Sequence, residues 1–390
     1  NFNKAQLGAI EHKDGAMLVL AGPGSGKTAV ITHRTKNLIT KHHVKPSEIL
    51  VITFTKAAAN EMKERFNSLM KDERVNVSFG TFHAVFFTIL KYAYRFTSAN
   101  IADESVRYGF IREILSYYRL EYKDENEFIG NLLAEISLIK NSRIDIENFY
   151  SGVCGEEIFR DIYKKYETRL KENRLIDFDD MLSYTYELFK ERPDILALWQ
   201  NKYKYILIDE FQDINRLQYE IIKMLAAPQN NLFIVGDDDQ SIYGFRGADS
   251  SIFKEFSRKY PGSVQLILGT NYRSLPYIIE GADKVIRNNE NRIVKNMSAY
   301  RQGEGKVHIR QTASYGRQAD MAVSLINDYV KTGGHLSDIA ILYRVKKEAS
   351  VLVNTLETIG MPFFTRDNVD DIHLGICFYD MLAYYRLSRG

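Results

Sequence analysis

Residues 21–28 read AGPGSGKT and combine the backbone freedom and side chains that a phosphate site needs. Glycines allow the backbone to fold back and aim its N–H groups at one point. Lys27 is placed to reach the β- and γ-phosphates of a nucleoside triphosphate, and Thr28 to put its hydroxyl on Mg²⁺. Alanine replaces the first glycine of the usual G-x-x-x-x-G-K-[ST] pattern, and because alanine is small we expect the loop to form. A chance glycine-rich turn is the alternative. The predicted nucleotide-contacting residues of this loop are Ala21, Gly22, Pro23, Gly24, Ser25, Gly26, Lys27 and Thr28.

A pair of carboxylates follows an apolar run much further along the chain. Residues 205–208 read YILI, and Asp209 and Glu210 come next. With a phosphate loop upstream, this pattern predicts the second half of a nucleotide-hydrolysis site. Asp209 would hold the Mg²⁺ shell, and Glu210 would accept a proton from the attacking water. The alternative is a solvated acidic turn.

Three consecutive aspartates follow another apolar run, at residues 237–239. Carboxylates at the end of a buried strand are costly unless they face a metal, a cation or solvent. Gln240 comes directly after them and is placed to sense a γ-phosphate. Tyr243 and Phe245 lie in the same glycine-rich, charged loop, a setting more typical of stacking surfaces than of core.

The elements that must position these residues alternate between strand and helix. Apolar runs predict strands at residues 17–20, 49–52, 75–79, 205–208, 232–235 and 264–268, and the first two are followed by predicted helices at 29–40 and 57–70. This alternation is typical of an α/β fold with a parallel sheet and right-handed crossovers. Ligands of such sheets bind at the carboxyl ends of the strands, which is where the phosphate loop and the acidic segments lie.

Two other regions have a different pattern. Residues 91–200 show helical periodicity, with predicted helices at 105–118, 127–140, 156–172 and 178–189, and indicate an all-helical insertion in the sheet domain. Acidic residues at 177–180 could simply complement the dipole of the last helix. A second α/β pattern follows residue 291, with predicted strands at 307–310 and 339–343, helices at 317–330, 347–359 and 375–387, and an extended stretch at 361–364.

Composition sets wider bounds. The 390 residues suggest two or three domains, and 45% hydrophobic residues are ample for real cores. A net charge of +2 is too small to argue for nucleic acid by itself. Cys154 and Cys377 lie far apart, which excludes a disulfide framework and fits a cytoplasmic protein. The chain starts without methionine and stops just after a helical pattern, so we expect a fragment of a longer protein.

Several of these segments, in order, resemble the motifs of superfamily 1 DNA helicases of the UvrD/Rep/PcrA family. The resemblance covers nearly the whole chain and rests on Gln6 and on residues 21–28, 53–59, 80–83, 209–213, 236–247, 271–274 and 339–344. It implies a RecA-like P-loop NTPase domain at 1–90 and 201–280, a helical insertion at 91–200 and part of a second RecA-like domain at 281–390. ATP would bind in the cleft between the two RecA-like domains.

The resemblance also implies roles for single residues at the nucleotide. Tyr272 would stack on adenine, Arg273 would act as an arginine finger on the γ-phosphate, and Gln240 would couple that phosphate to the DNA-binding loops. Gln6 lies in a segment similar to the family's Q motif and could read an adenine edge, since an amide both donates and accepts. A surface glutamine is the alternative.

On the DNA side, the resemblance implies that Phe54, Tyr243 and Phe245 contact bases of single-stranded DNA. Relatives commonly carry tryptophan at the position of Phe245, so its grip on a base should be weaker. The remaining DNA-binding residues implied by these motifs are Thr55, Thr81, Phe82 and His83. The implied partners are single-stranded DNA, duplex junctions and accessory repair or replication proteins, and the implied polarity of movement is 3′ to 5′.

The chain contains nothing similar to the family's motifs V and VI. We therefore expect these 390 residues to bind ATP and Mg²⁺ but to hydrolyse ATP poorly and to unwind no duplex. Two other functions stay open. One is the motor portion of a helicase–nuclease, and the other is a P-loop ATPase without a DNA partner.

Overall fold

The computed structural model describes residues 2–71, 75–244, 247–249, 251–290 and 292–365. The chain divides into two compact units, Asn1–Lys306 and Val307–Gly390. The predicted domain boundary at residue 280 therefore falls inside the first unit, and the domain limits given above stay predictions.

The strands are β1 (Met17–Ala21), β2 (Ile49–Thr53), β3 (Ser78–Thr81), β4 (Tyr205–Ile208), β5 (Leu232–Gly236), β6 (Val264–Leu268), β7 (Thr270–Asn271) and β8 (Ser298–Ala299). The helices are α1 (Lys4–Glu11), α2 (Lys27–Thr40), α3 (Lys56–Leu69), α4 (Phe82–Tyr94), α5 (Glu104–Leu115), α6 (Glu125–Ser142), α7 (Glu156–Glu172), α8 (Phe178–Glu191), α9 (Pro193–Lys202), α10 (Arg216–Ala226), α11 (Ser251–Lys259), α12 (Pro276–Ile286), α13 (Tyr315–Lys331) and α14 (Lys346–Thr358).

Six strands of the first unit form one parallel sheet in the order β3-β2-β4-β5-β1-β6. This confirms the predicted α/β fold class. All of its strands run the same way, so their carboxyl ends share one edge. β1 lies between β5 and β6, which brings the phosphate loop beside the loop that follows β5.

Alternate residues of the central strands enter different cores. In β1, Leu18 and Leu20 pack into a cluster with α4, α8, α9 and α10, whereas Met17 and Val19 pack into a cluster with α1, α2 and α3. Because both faces are covered, the strands read as continuous apolar runs rather than as alternating ones.

The helical region between β3 and β4 has a hydrophobic core of its own, to which only some of its helices contribute. Helices α5, α6 and α7 enclose one hydrophobic cluster. Helices α8 and α9 instead contribute side chains such as Leu182, Phe189 and Trp199 to the cluster on the sheet. Their amphipathic patterns resemble those of α5 to α7, so periodicity alone does not separate the two groups.

The second unit differs from its prediction. Helices α13 and α14 form as expected and bury residues such as Ala319 and Val353. The predicted strands at 307–310 and 339–343 are irregular segments, and Ile309 and Leu342 are each 94% exposed. The predicted strands were wrong here because an apolar run becomes a strand only beside a hydrogen-bonded partner, and the described residues of this unit supply none. The predicted helix at 375–387 lies outside the described residues.

A buried lysine fixes the helical insertion to the sheet layer. Lys140 in α6 lies 2.8 Å from Asp177, 2.7 Å from Asp180 and 2.7 Å from Glu167. Asp177 also caps α8 by accepting from the backbone N–H of Asp180. The acidic start of α8 therefore does more than complement a helix dipole. It holds a cation that has been removed from solvent.

We expect Lys140→Met to destabilise the first unit by about 3–5 kcal/mol, because it leaves buried carboxylates without a cation. The loss should be smaller at pH 5.5 than at pH 8, since protonation relieves carboxylates that have lost their partner. Urea unfolding followed by circular dichroism measures both effects. Lys164→Met is the matched control, because Lys164 is exposed and paired with Glu147 on the surface. Equal stability of the two variants would contradict the role of Lys140.

Candidate nucleotide site and neighbouring aromatic surface

The phosphate loop forms between β1 and α2 and needs glycine at two of its positions. Gly24 has φ +66°, and Gly26, the residue before α2, has φ +88°. Both angles are in the left-handed region that favours glycine. Ser25 Oγ donates to the Gly22 carbonyl at 2.7 Å and closes the turn. Ala21 is the fully buried last residue of β1, so the alanine at this position fits the loop.

Two distant segments contact this loop. Gln6 in α1 donates from Nε2 to the Ser25 carbonyl at 2.9 Å and is 4% exposed, so the surface-glutamine alternative was wrong. The backbone N–H of Tyr272 donates to the Gly24 carbonyl at 2.9 Å. The Tyr272 hydroxyl accepts from Asn3 Nδ2 at 3.0 Å. Residues from both ends of the first unit therefore meet at the loop.

The structure brings the predicted catalytic carboxylates to the phosphate-loop lysine. Lys27 Nζ lies 3.1 Å from Glu210 Oε2. Asp209 is buried at the end of β4, and burial together with the charge of Glu210 raises the pKa of Asp209 to about 7, although Lys27 opposes this shift. Asp209 is thus a buried carboxylate with too little positive charge around it.

Glu210 has an unusual backbone and is anchored from one side. Its φ of +49° is in the left-handed region, which is uncommon for a residue with a side chain and is found at functional sites. Gln212 Nε2 donates to Glu210 Oε2 at 2.8 Å, and Gln212 Oε1 accepts from the backbone N–H of Asp237 at 3.0 Å. Gln212 therefore connects the loop after β4 to the loop after β5.

The three aspartates after β5 face cations. Lys295 is 2% exposed and lies 2.9 Å from Asp237 and 3.0 Å from Asp239, with Asp238 also in contact. Arg292 donates two hydrogen bonds to Asp239, at 2.8 and 2.7 Å. The sequence left a metal, a cation or solvent as possible partners of these carboxylates, and in the structure the partners are cationic side chains. The sequence around residues 292–295 gave no indication that Arg292 and Lys295 are these partners.

Arg273 lies against the phosphate loop. An ideal Cβ placed on Gly24 would come 2.7 Å from Arg273 Cβ and 2.7 Å from Asn271 Oδ1. Asn271 Oδ1 accepts from the backbone N–H groups of Arg273 and Ser274, both at 2.8 Å, and so fixes the turn that carries Tyr272 and Arg273.

Two of the predicted stacking residues lie together. The rings of Phe54, after β2, and Tyr243, after β5, are stacked with centroids 5.0 Å apart and planes 30° apart. Both side chains are half-buried, so part of each ring is open to solvent. Phe245 lies outside the described residues.

The predicted DNA-binding residues at the ends of β2 and β3 also have structural roles. Thr55 and Thr81 cap α3 and α4 with their hydroxyls. Phe82 is 2% exposed and packs on Phe86, so its ring is part of the core, and its contact with DNA stays a prediction. The burial of Phe82 was not evident from the sequence, because the first residue of a helix can lie either in the core or at the surface.

His83 is half-buried, and burial lowers its pKa, although Asp179 opposes the shift. Phe178, 44% exposed at the start of α8, meets the His83 ring edge-to-face at 5.6 Å. Phe178 was not among the residues predicted from the sequence. The available signal was an aromatic residue set between aspartates at a helix start.

These features define a P-loop nucleotide-binding protein with a RecA-like sheet: a phosphate loop after β1, an Asp-Glu pair after β4, and a glutamine loop after β5. Similarity to known protein families identifies the group within this class. Residues 2–261 match the UvrD/REP helicase N-terminal domain, and residues 266–389 match the UvrD-like helicase C-terminal domain. The chain belongs to the UvrD/REP helicase family.

Named relatives agree with this. The chain is 36% identical over 399 residues to the putative ATP-dependent DNA helicase YjcD of Bacillus subtilis, covering 100% of this chain and 52% of YjcD. It is 37% identical over 400 residues to the ATP-dependent DNA helicase PcrA of B. subtilis, covering 99% and 53%. PcrA of Staphylococcus aureus strain Mu50 is 34% identical over 372 residues, covering 93% and 50%. The chain thus spans about half the length of these relatives.

Within the part of the chain that the structure describes, no helix has the length and apolar character needed to cross a membrane.

We expect Gly24→Ala to weaken binding of a fluorescent ATP analogue by about tenfold or more, because a side chain there is strained at φ +66° and meets Asn271 and Arg273. Gly109→Ala is the control, since Gly109 lies inside α5 and an added Cβ meets nothing within 4 Å. Unchanged affinity in the Gly24 variant would show that this loop is not where the nucleotide binds.

Proposed function

We propose that this chain carries the ATP-dependent motor of a DNA helicase or translocase. One observation supports this most strongly. The carboxyl edge of a single sheet carries a phosphate loop with its acidic partners and, on loops after β2 and β5, a half-exposed aromatic pair. A nucleotide site and a base-stacking surface that share β5 are suited to coupling hydrolysis to movement on a strand.

The donor set suits an ATP–Mg²⁺ complex. The hydroxyl of Thr28 and the carboxylate of Asp209 are hard oxygen ligands of the kind Mg²⁺ prefers. The raised pKa of Asp209 indicates a buried carboxylate that is short of positive charge, and a divalent cation would supply it. When bound, Mg²⁺ offsets the charge of the phosphate oxygens.

Each of the chain's own residues at this site has a separate role in hydrolysis. The backbone N–H groups of the loop and Lys27 hold the β- and γ-phosphates. When phosphate oxygens draw Lys27 away, Glu210 loses its cation, retains the hydrogen bond from Gln212 and can accept the proton of the attacking water. Gln240 and Arg273 contact the γ-phosphate, Tyr272 stacks on adenine, and Gln6 borders the base from α1.

The DNA side of the proposal rests on aromatic residues. Phe54, Tyr243 and Phe245 stack on bases of single-stranded DNA, and base–aromatic stacking tolerates any sequence. Phe178 and His83, whose rings contact each other, form a second aromatic pair. Movement in the 3′ to 5′ direction, engagement of duplex junctions, accessory repair or replication proteins and a cytoplasmic location belong to the same proposal.

The other two functions are less well supported. A P-loop ATPase without a DNA partner leaves the half-exposed pair of Phe54 and Tyr243 without a purpose. The motor portion of a helicase–nuclease would use the same site as described here. The relatives reported above are named as DNA helicases, which favours the simpler enzyme.

Lys27→Ala tests the nucleotide site. We expect its affinity for a fluorescent ATP analogue to fall by about 100-fold, because a charge-assisted contact to the phosphates is lost. Lys41→Ala, at the other end of α2, should bind like the wild type because Lys41 is exposed and paired with Glu11. Retained affinity in the Lys27 variant would contradict the site assignment.

Phe54→Ala and Tyr243→Ala test the DNA surface. Each should weaken binding of a labelled single-stranded oligonucleotide by about 5- to 150-fold at fixed salt, measured by fluorescence anisotropy. Since the two rings stack on each other, the double variant should lose less than the product of the single losses. Tyr150→Ala, at a tyrosine that is 75% exposed, is the control. Equal DNA affinity in all variants would contradict the assignment of this surface. A wild-type chain that binds no DNA would favour a P-loop ATPase without a DNA partner.

A further inference from the structure

The charge cluster after β5 is closed by residues that arrive much later in the chain. Lys295 contacts all three carboxylates of residues 237–239, and Arg292 grips Asp239 with two hydrogen bonds. Burial pulls the pKa of Lys295 down, but contacts with Asp238 and Asp237 more than offset this and leave the pKa above its ordinary value. The lysine therefore stays charged at neutral pH.

The same cluster holds Gln240. Its Nε2 donates to Asp237 Oδ2 at 2.6 Å, and its backbone N–H donates to the Asp237 carbonyl at 2.9 Å. The other oxygen of Asp237, Oδ1, lies 2.9 Å from Lys295 Nζ. Asp237 is fully buried, so the lysine on one oxygen fixes where the other oxygen presents itself to Gln240.

Residues 292–301, which we call the brace, continue from this cluster to the rest of the nucleotide site. The Met297 side chain lies against Gly22 of the phosphate loop. Beyond it, β8 pairs with β7, and the backbone N–H of Tyr300 donates to the Asn271 carbonyl at 2.9 Å. Arg301 Nη1 donates to the Arg273 carbonyl at 2.8 Å. One short segment thus contacts the Gln240 loop, the phosphate loop and the turn that carries Arg273.

The three aspartates could be mistaken for a metal site, because one oxygen of each lies within 4.8 Å of the others. Lys295 Nζ already lies among these oxygens and supplies the positive charge that an ion would bring. A structural and positioning role is therefore the better account of the cluster.

We propose that Lys295 is a positioning residue that acts through Asp237 to hold Gln240 toward the γ-phosphate, and that the brace sets Gln240 and Arg273 in a fixed relation. This inference rests on the proposed function, since it takes Gln240 to contact the γ-phosphate. Lys295 itself does not touch the nucleotide.

A double-mutant cycle between Lys295→Met and Gln240→Ala tests the proposal. The readout is the ratio of affinities for a non-hydrolysable imido analogue of ATP and for ADP, each with Mg²⁺, measured by isothermal titration calorimetry. A residue that only supports the fold would not change this ratio selectively. We expect each single variant to lower the ratio about tenfold and the double variant to lower it no further, because both changes remove the same γ-phosphate contact.

Control variants separate positioning from folding. Lys164→Met, an exposed lysine in a surface ion pair, should leave the ratio unchanged. If Lys295→Met does not fold, judged by circular dichroism, the cycle is run with Lys295→Met combined with Asp238→Asn, which removes one repelling carboxylate and keeps Asp237.

The outcomes are distinct. A multiplicative loss near 100-fold in the double variant, or a wild-type ratio in the Lys295 variant, overturns the proposal. A wild-type chain that binds both nucleotides equally overturns it as well but leaves the phosphate site intact. A wild-type chain that binds neither nucleotide removes the proposed function and this inference with it.

Discussion

Buried or half-buried carboxylates are costly unless a cation faces them, and the first unit depends on three such pairings. Lys27 faces Glu210, Lys295 faces the aspartates after β5, and Lys140 faces the acidic start of α8. Each lysine comes from an element other than the one whose carboxylates it meets. The same contacts that neutralise charge therefore also fix the phosphate loop, the brace and the helical insertion against the sheet.

The loops that follow β4 and β5 are not independent. Glu210 is bound by Gln212, Gln212 accepts from the backbone of Asp237, and Asp237 holds Gln240. Hydrogen bonds thus run from the proposed base to the proposed γ-phosphate contact without passing through the nucleotide. A shift in one loop must strain or break this series, which gives a physical reason for the base and the glutamine to adjust together.

Strong local signals were readable from the sequence, and distant partners were not. The apolar runs of β1, β2 and β4 predicted buried strands, because a strand covered on both faces has few polar residues. Phe82 shows the limit, since an aromatic residue beside a loop can equally enter the core. Lys295 and Phe178 were missed because their roles depend on what the fold brings near them. The strands expected at 307–310 and 339–343 failed for the same reason, since strand formation needs a partner that an apolar run cannot specify.

The position of β1 between β5 and β6 has a consequence for how the protein is made. Met17 in β1 pairs with Phe233 and Val264, which lie more than 200 residues later in the chain. The partner of Asn3, just before α1, is later still, because Asn3 bonds to Tyr272 across 269 residues. At a synthesis rate of roughly 5–20 residues per second, the apolar strand before the phosphate loop is translated roughly 10 to 50 s before the strands that cover its edges. Contacts of such long sequence separation also form slowly, because a large loop must close first. A fully buried strand beside the candidate nucleotide site therefore stays without its neighbours for a long time in a newly made chain, and must be shielded from aggregation during that time.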